Sequence, residues 1–293
     1  MSFNNDLVVD LAYRKVALFL GAGVSASAVN DQNERLPTWD KFLKDQINGL
    51  TGQDKKLAKR YLSTKRHLMS AEIIKESIGA EEWNNRVERE FSKSVNPSEI
   101  QKSILSLDQR IIITTNFDKT LEAASQEYEK KHKNYRAIYN GLRDDVFKIF
   151  RDDRRYIIKL HGSVDDRDTI VFSHSDYIEK AYGSDAYNKF FESLLLNYTI
   201  LFIGFSMEDP AVSLLMELQA EKYKSCRPHY IMLKKPITRR EKELSIRLRR
   251  LNIIDYNPEN NHHELVETLN ELSKNVSEKR KEFLAQELVD AQG

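Results

Sequence analysis

Four short segments carry the side chains best suited to chemistry, and each leaves an apolar run. The first is Phe19-Leu20-Gly21-Ala22-Gly23-Val24-Ser25. Small residues at a strand's carboxyl end let backbone approach a ligand, and amides of the following turn can cradle a diphosphate. The dinucleotide fingerprint G-x-G-x-x-G is incomplete, because Ala26 stands at its third glycine; a tight turn with no ligand would use the same residues. The second is Thr114-Thr115-Asn116-Phe117-Asp118, where polar groups would point into the crevice of an open sheet. Helix capping also suits such residues, but it fits Asp118 better and leaves Asn116 free. The third is Lys159-Leu160-His161-Gly162-Ser163. Histidine is the side chain best suited to proton transfer near neutral pH. A lone histidine is more often structural, and His161 is set apart by its strand end and the adjoining glycine. His67, His132, His174, His229, His262 and His263 lack that context. The fourth is Gly204-Phe205-Ser206-Met207-Glu208-Asp209-Pro210. Asp209 before Pro210 makes a natural helix N-cap, leaving Gly204 and Ser206 as small contacts to a nucleotide.

These segments need a scaffold, and the spacing of apolar residues supplies one. Runs rich in β-branched residues occur at Val16–Leu20, Arg110–Thr114, Tyr156–Leu160, Thr169–Phe172, Ile200–Ile203, Tyr230–Leu233 and Ile253–Tyr256. Most are continuous rather than alternating, as strands buried on both faces of a parallel sheet are. Between them lie amphipathic stretches, such as Trp39, Phe42, Leu43 and Ile47 at helical spacing. The expectation is an α/β fold with a Rossmann-like parallel sheet. Two connections, about 30–105 and 118–154, are long, charged and low in Gly and Pro, and read as helical insertions. The expected organisation is one domain over 1–262 and a helical tail over 263–293. Leu265, Leu269, Leu272 and Val276, then Phe283, Leu284 and Leu288, form a stripe along that tail. It suits a helix packed back on the domain or an assembly seam.

Composition narrows the class. With 40% hydrophobic residues in 293, the chain can bury a sizeable core. Lys and Arg number 46 against 45 Asp and Glu, so bulk charge offers little to nucleic acid. Local basic stretches occur at Lys234–Arg250 and Lys55–Arg66, but neither interleaves aromatics, and a solvated helix face accounts for them. A nucleic-acid role therefore stays open. The single cysteine, Cys226, excludes an intrachain disulfide and a thiolate zinc site. Met1–Asp10 is polar, and no apolar run is long enough to cross a bilayer. A cytoplasmic protein that does not engage membranes is expected.

Taken in order, the four motifs resemble the sirtuin family. GAGVS resembles its NAD diphosphate loop, TTNFD its Thr-Gln-Asn-Ile-Asp segment, LHGS the segment of its catalytic histidine, and GFS its Gly-Thr-Ser turn. The resemblance spans about residues 10–270. The four-cysteine zinc ribbon of sirtuin deacylases is missing, and so is the Pro-Asp-Phe-Arg stretch, where Leu36-Pro37-Thr38-Trp39 appears. Thr115 stands where the family has Gln. With these departures the chain is similar to the zinc-less bacterial branch, whose members consume NAD in antiphage defence. That resemblance implies NAD as substrate, no metal, and Asn116 with His161 as the catalytic pair. It assigns NAD binding to Gly21, Ala22, Gly23, Ser25, Asn116, Asp118, Gly204 and Ser206. Breaking the nicotinamide–ribose bond develops oxocarbenium character, so the enzyme must hold the ribose, position water and accept a proton. The implied activity is an NAD glycohydrolase acting by abortive infection. An ADP-ribosyltransferase, a deacylase and a non-catalytic NAD or ADP-ribose sensor are the alternatives. Homo-oligomers and a separately encoded regulator, such as an ATPase of the HerA type, are the expected partners.

Overall fold

The computed structural model describes residues 3–132, 136–182, 184–207 and 209–290. Glu208 of the fourth motif lies outside the described residues. Seven strands, β1 Val16–Leu20, β2 Ile111–Thr114, β3 Arg136–Asn140, β4 Arg155–Lys159, β5 Thr199–Ile203, β6 His229–Lys234 and β7 Leu251–Tyr256, build one sheet. Its order is β3-β4-β2-β1-β5-β6-β7 and every pairing is parallel. From β1 the chain fills one half of the sheet, then returns to β5 and fills the other. The switch point between β1 and β5 is where an open α/β sheet leaves a ligand crevice.

The continuous apolar runs are explained by burial on both faces. All five residues of β1 are buried. Ala17 and Phe19 join Ile111, Ile113, Ile158 and Phe202 in one core. Val16, Leu18 and Leu20 join Ile112, Ile157, Leu201 and Ile203 in the other.

Two strand assignments change. Thr169–Phe172 is not a strand: a 3-10 turn covers Arg167–Thr169 and the rest is irregular. Its apolar residues are buried all the same, Ile170 and Phe172 in one core and Val171 in another. Conversely, the stretch 118–154 is not an all-helical insertion. It holds the helix Thr120–His132, the edge strand β3 and a 3-10 segment Asp144–Phe150. It is therefore an ordinary crossover through a strand. The stretch 30–105 does carry helices, at Trp39–Asn48, Gly52–Ser63, His67–Ile78, Ala80–Phe91 and Glu99–Ser106. The first four contribute Phe42, Leu62, Ile74, Trp83 and Phe91 to a third core, which also takes Phe117, Val164 and Phe172 from the loops at the strand ends. Helices from this insertion thus stand over the carboxyl edge of the sheet.

The tail helix Glu259–Asp290 begins irregularly, with Asn260, Asn261 and His262 in the left-handed region. Leu265, Leu269, Leu272 and Val276 are buried and share a core with Leu7, Leu11 and Ile104. Phe283 stacks on Tyr13 at 4.5 Å. That half of the stripe is packed within its own chain and is not an assembly seam. Leu284 and Leu288 of the stripe, with the neighbouring Val289, face outward, 60%, 65% and 69% exposed. Among the described residues no helix is long and apolar enough to cross a membrane.

Candidate active site

The four motifs meet at the carboxyl edge of the sheet, beside a cavity of about 820 Å3. Its walls come from the Gly21 loop, the Gly204 turn, the helical insertion and the ends of β6 and β7. Of the residues singled out by sequence, Ala22, Gly23, Gly204 and Ser206 line it. Ser25, Asn116 and Asp118 line a neighbouring void of about 20 Å3, room for a single water. Gly21 and His161 line neither.

The two glycine segments are folded onto each other. The Gly21 amide donates to Ile203 O at 3.0 Å, and the Gly23 amide to Gly204 O at 2.9 Å. A Cβ on Gly21 would stand 2.4 Å from Gly204 O, and Gly204 itself has φ +63. Glycine is required at both places by close backbone approach and by a left-handed dihedral. The expectation that these amides cradle a diphosphate changes accordingly. Those of Gly21, Gly23 and Val24 are bonded within the protein, so an anion here would use other donors.

Asn116 is held with its amide aimed at the glycine loop. Its Nδ2 donates to Gly21 O at 2.9 Å and to Ser25 Oγ at 2.8 Å. Its own backbone N–H donates to Thr114 Oγ1 at 3.0 Å. Asp118 accepts from the Thr120 amide at 3.0 Å, at the entry to the helix Thr120–His132.

Lys159 ties the second and third motifs together from below. It is fully buried, and its Nζ donates to Glu122 Oε1 at 2.5 Å, Asp118 O at 2.7 Å and Ser163 Oγ at 3.0 Å. Burial pushes the Glu122 carboxyl up, with the Lys159 ammonium opposing. A buried charge pair needs such extra hydrogen bonds to offset desolvation. Here they fix the loops after β2 and β4 in one relation.

His161 is 1% exposed, and neither ring nitrogen has a hydrogen-bond partner. Its Nε2 lies 3.4 Å from Asp209 Oδ2. The Tyr177 ring meets it edge-on at 5.1 Å and Trp39 lies at 6.4 Å. Tyr177 donates its hydroxyl to the same Asp209 oxygen at 2.6 Å. Burial lowers the pKa of His161, and the Asp209 carboxylate partly restores it. Burial first, then Asp209, raises Tyr177 well above the usual phenol range. Trp39, Tyr177 and Asp209 all line the large cavity. The histidine therefore sits one layer beneath the cavity wall, closed off from it.

From sequence alone Asp209 is a helix cap, and Tyr177 carries no signal. The cap is real, since Oδ1 accepts from the Val212 amide at 3.0 Å, but the other oxygen faces His161. His67, His174 and His262, set aside for want of context, line the cavity too.

This arrangement sets the glycine loop at the switch point of a parallel sheet, with Asn116 and His161 following adjacent strands. Residues 110–254 match the family model of the SIR2-like domain. Among curated proteins the chain is 27% identical to the NAD(+) hydrolase ThsA of Bacillus cereus, over 94% of this chain and 58% of that protein. It is 28% identical to the ThsA of Enterococcus faecium over 75% of this chain and 43% of that one. Defense-associated sirtuin 2 of Bacillus subtilis is 23% identical over 69% of this chain and 19% of its own length. The chain thus spans about half or less of the relatives it matches. A Sir2 homologue solved as an ADP-ribose complex aligns over 94% of this chain and 98% of its own, with 14% identity and a TM-score of 0.44.

Proposed function

We propose that this protein is an NAD glycohydrolase that splits NAD into nicotinamide and ADP-ribose, as an antiphage effector acting on the cytoplasmic dinucleotide pool. The observation that carries the reading is His161: a buried imidazole with no hydrogen bond on either nitrogen, its Nε2 facing Asp209, one strand from Asn116 and directly beneath a dinucleotide-sized cavity. The names of the ThsA relatives support it.

In the reaction the C1′–N bond breaks and its electron pair leaves with nicotinamide. A water oxygen bonds to C1′, and the water's proton passes to His161, then to solvent. Asn116, fixed between Gly21 O and Ser25 Oγ, orients the ribose or that water. Ala22, Gly23, Gly204 and Ser206, which line the cavity, frame the dinucleotide around it. Access to His161 needs the Trp39 and Tyr177 rings to part, so that layer opens before ribose and water reach the imidazole. Opening it would fall to self-assembly or to a separately encoded regulator, such as an ATPase of the HerA type.

The test is nicotinamide release from NAD by the pure protein, with and without an acyl-lysine peptide. Release without peptide is expected. His161→Ala should lower turnover at least about a hundredfold, the usual scale for losing a general base, with its melting temperature retained. Release only with peptide would make the protein a deacylase, and ADP-ribose binding without release would make it a sensor.

A further inference from the structure

One end of the cavity has a chemistry that the reaction at the other end does not require. A dinucleotide cleaved at His161 and Asn116 has its nicotinamide over the ends of β4 and β2. Its adenosine half must then extend past the Gly21 loop toward β5 and β6. Sheet order β4-β2-β1-β5-β6 sets the span. It is four strand spacings, about 19 Å, comparable to an extended dinucleotide.

The wall at that far end is made by Met232, Leu233 and Lys234 at the end of β6, Tyr256 at the end of β7, His262, and Arg35 from the insertion. Arg35 is anchored there, its Nη2 donating to Asn261 Oδ1 at 2.8 Å. His262 Nδ1 lies 3.2 Å from the Tyr256 hydroxyl. Arg35 and Lys234 stand close enough to His262 to lower its pKa, after burial. The carboxylates among the described lining residues are Asp40 and Asp209. Asp40 is held by Lys44, and Asp209 by Tyr177 at the His161 end. A site selective for an unphosphorylated ribose sets an acidic residue against the 2′-hydroxyl, whereas a nearby arginine accommodates a 2′-phosphate. Here cations stand at the adenosine end.

We infer that the far wall of the cavity is a 2′-phosphate site, formed by Arg35 and Lys234 with His262, so that NADP is a substrate as well as NAD. The inference rests on the dinucleotide reading of the cleft and adds the substrate class. The same bond breaks: C1′–N opens, its electron pair leaves with nicotinamide, and water delivers its oxygen to C1′ and a proton to His161. The second product is 2′-phospho-ADP-ribose. Two cations on a dianionic phosphate form charge-assisted hydrogen bonds that an unphosphorylated ribose cannot.

Calorimetric titration of the full chain with ADP-ribose and with 2′-phospho-ADP-ribose tests this without depending on turnover. The phosphorylated ligand should bind about tenfold tighter at low salt, the gain shrinking as ionic strength rises. Lys234→Ala and Arg35→Ala should each cut the ratio of the two affinities several-fold. Nicotinamide release from NADP should then match or exceed that from NAD. If ADP-ribose binds and the 2′-phosphate adds nothing, this inference fails and the NAD reading stands. If the variants weaken both ligands equally, the cations hold the diphosphate and the inference fails as well. If neither ligand binds, both readings fall together.

Discussion

Asp209 makes two bonds with different consequences, and they separate its roles. Oδ1 accepts from the Val212 amide and caps the helix Pro210–Lys222. Oδ2 takes the Tyr177 hydroxyl and faces His161 Nε2. Asp209→Asn keeps an acceptor for the cap and removes the charge. The carboxylate raises the His161 pKa against burial, so without it the imidazole becomes a weaker base. NAD turnover should fall about tenfold or more. The acid limb of the pH–rate profile should move to lower pH, while the melting temperature barely changes. A changed melting temperature with an unmoved pH profile would leave Asp209 a cap and nothing else. The motif around Asp209 announced the cap, because Asp before Pro is a local signal. Its facing of His161, 48 positions away in sequence, depends on how β4 and β5 are ordered and could not be read locally.

At the scale of elements, the strand pairing with the shortest register is extended by a histidine. Strand β6 pairs with β5 through Leu201↔Tyr230 and Phe202↔Ile231. Just beyond that register, His229 Nδ1 accepts from the Ile200 amide at 3.1 Å. A protonated imidazole has no lone pair for this bond. Burial, then the neighbouring Arg250 cation, lowers the His229 pKa from 6.5 to about 4. Since the folded value lies below the unfolded one, its contribution is complete above pH 6.5. It is lost as pH falls from there toward 4, by no more than about 3 kcal/mol. His161 and His262 are lowered as well and act in the same direction. His229→Asn, which keeps an acceptor, should flatten part of the fall in melting temperature between pH 6.5 and 4. An identical slope would assign the pH dependence elsewhere. The strands that sequence revealed best, β1, β2, β4 and β5, are those buried on both faces. Strand β3, with the sequence Arg-Ala-Ile-Tyr-Asn, lies at the edge and is partly exposed along its length, so it carries no continuous apolar run. Thr169–Phe172 has such a run because it is wedged between two cores. Hydrophobicity reports burial, and burial alone does not make a ladder.

For the molecule as a whole, the two halves of the tail helix predict different outcomes when altered. Removing everything after His262 would strip Leu265, Leu269, Leu272 and Val276 from the core around Leu7, Leu11 and Ile104. It would also remove Arg280, which donates to Ala12 O and Leu11 O. Deleting a buried leucine costs about 2–5 kcal/mol, so three such losses and that of Val276 rival the whole stability of a domain. That truncation should give unfolded protein and say nothing about oligomers. Beyond Phe283 the helix changes character: Leu284, Leu288 and Val289 stand exposed along its end. An apolar patch at a helix end, kept clear of its own core, is a natural seam between copies. Leu284→Asp combined with Leu288→Asp should therefore lower the mass seen in light scattering. Its melting temperature at low protein concentration should stay within about 2 °C, as surface changes away from the core usually do. Turnover measured on the same sample then connects assembly to the closed Trp39 and Tyr177 layer. If assembly opens that layer, the dispersed variant loses NAD turnover in step with its mass. If the mass is unchanged, the seam lies elsewhere, and the helical insertion that supplies Trp39 is the next surface to alter.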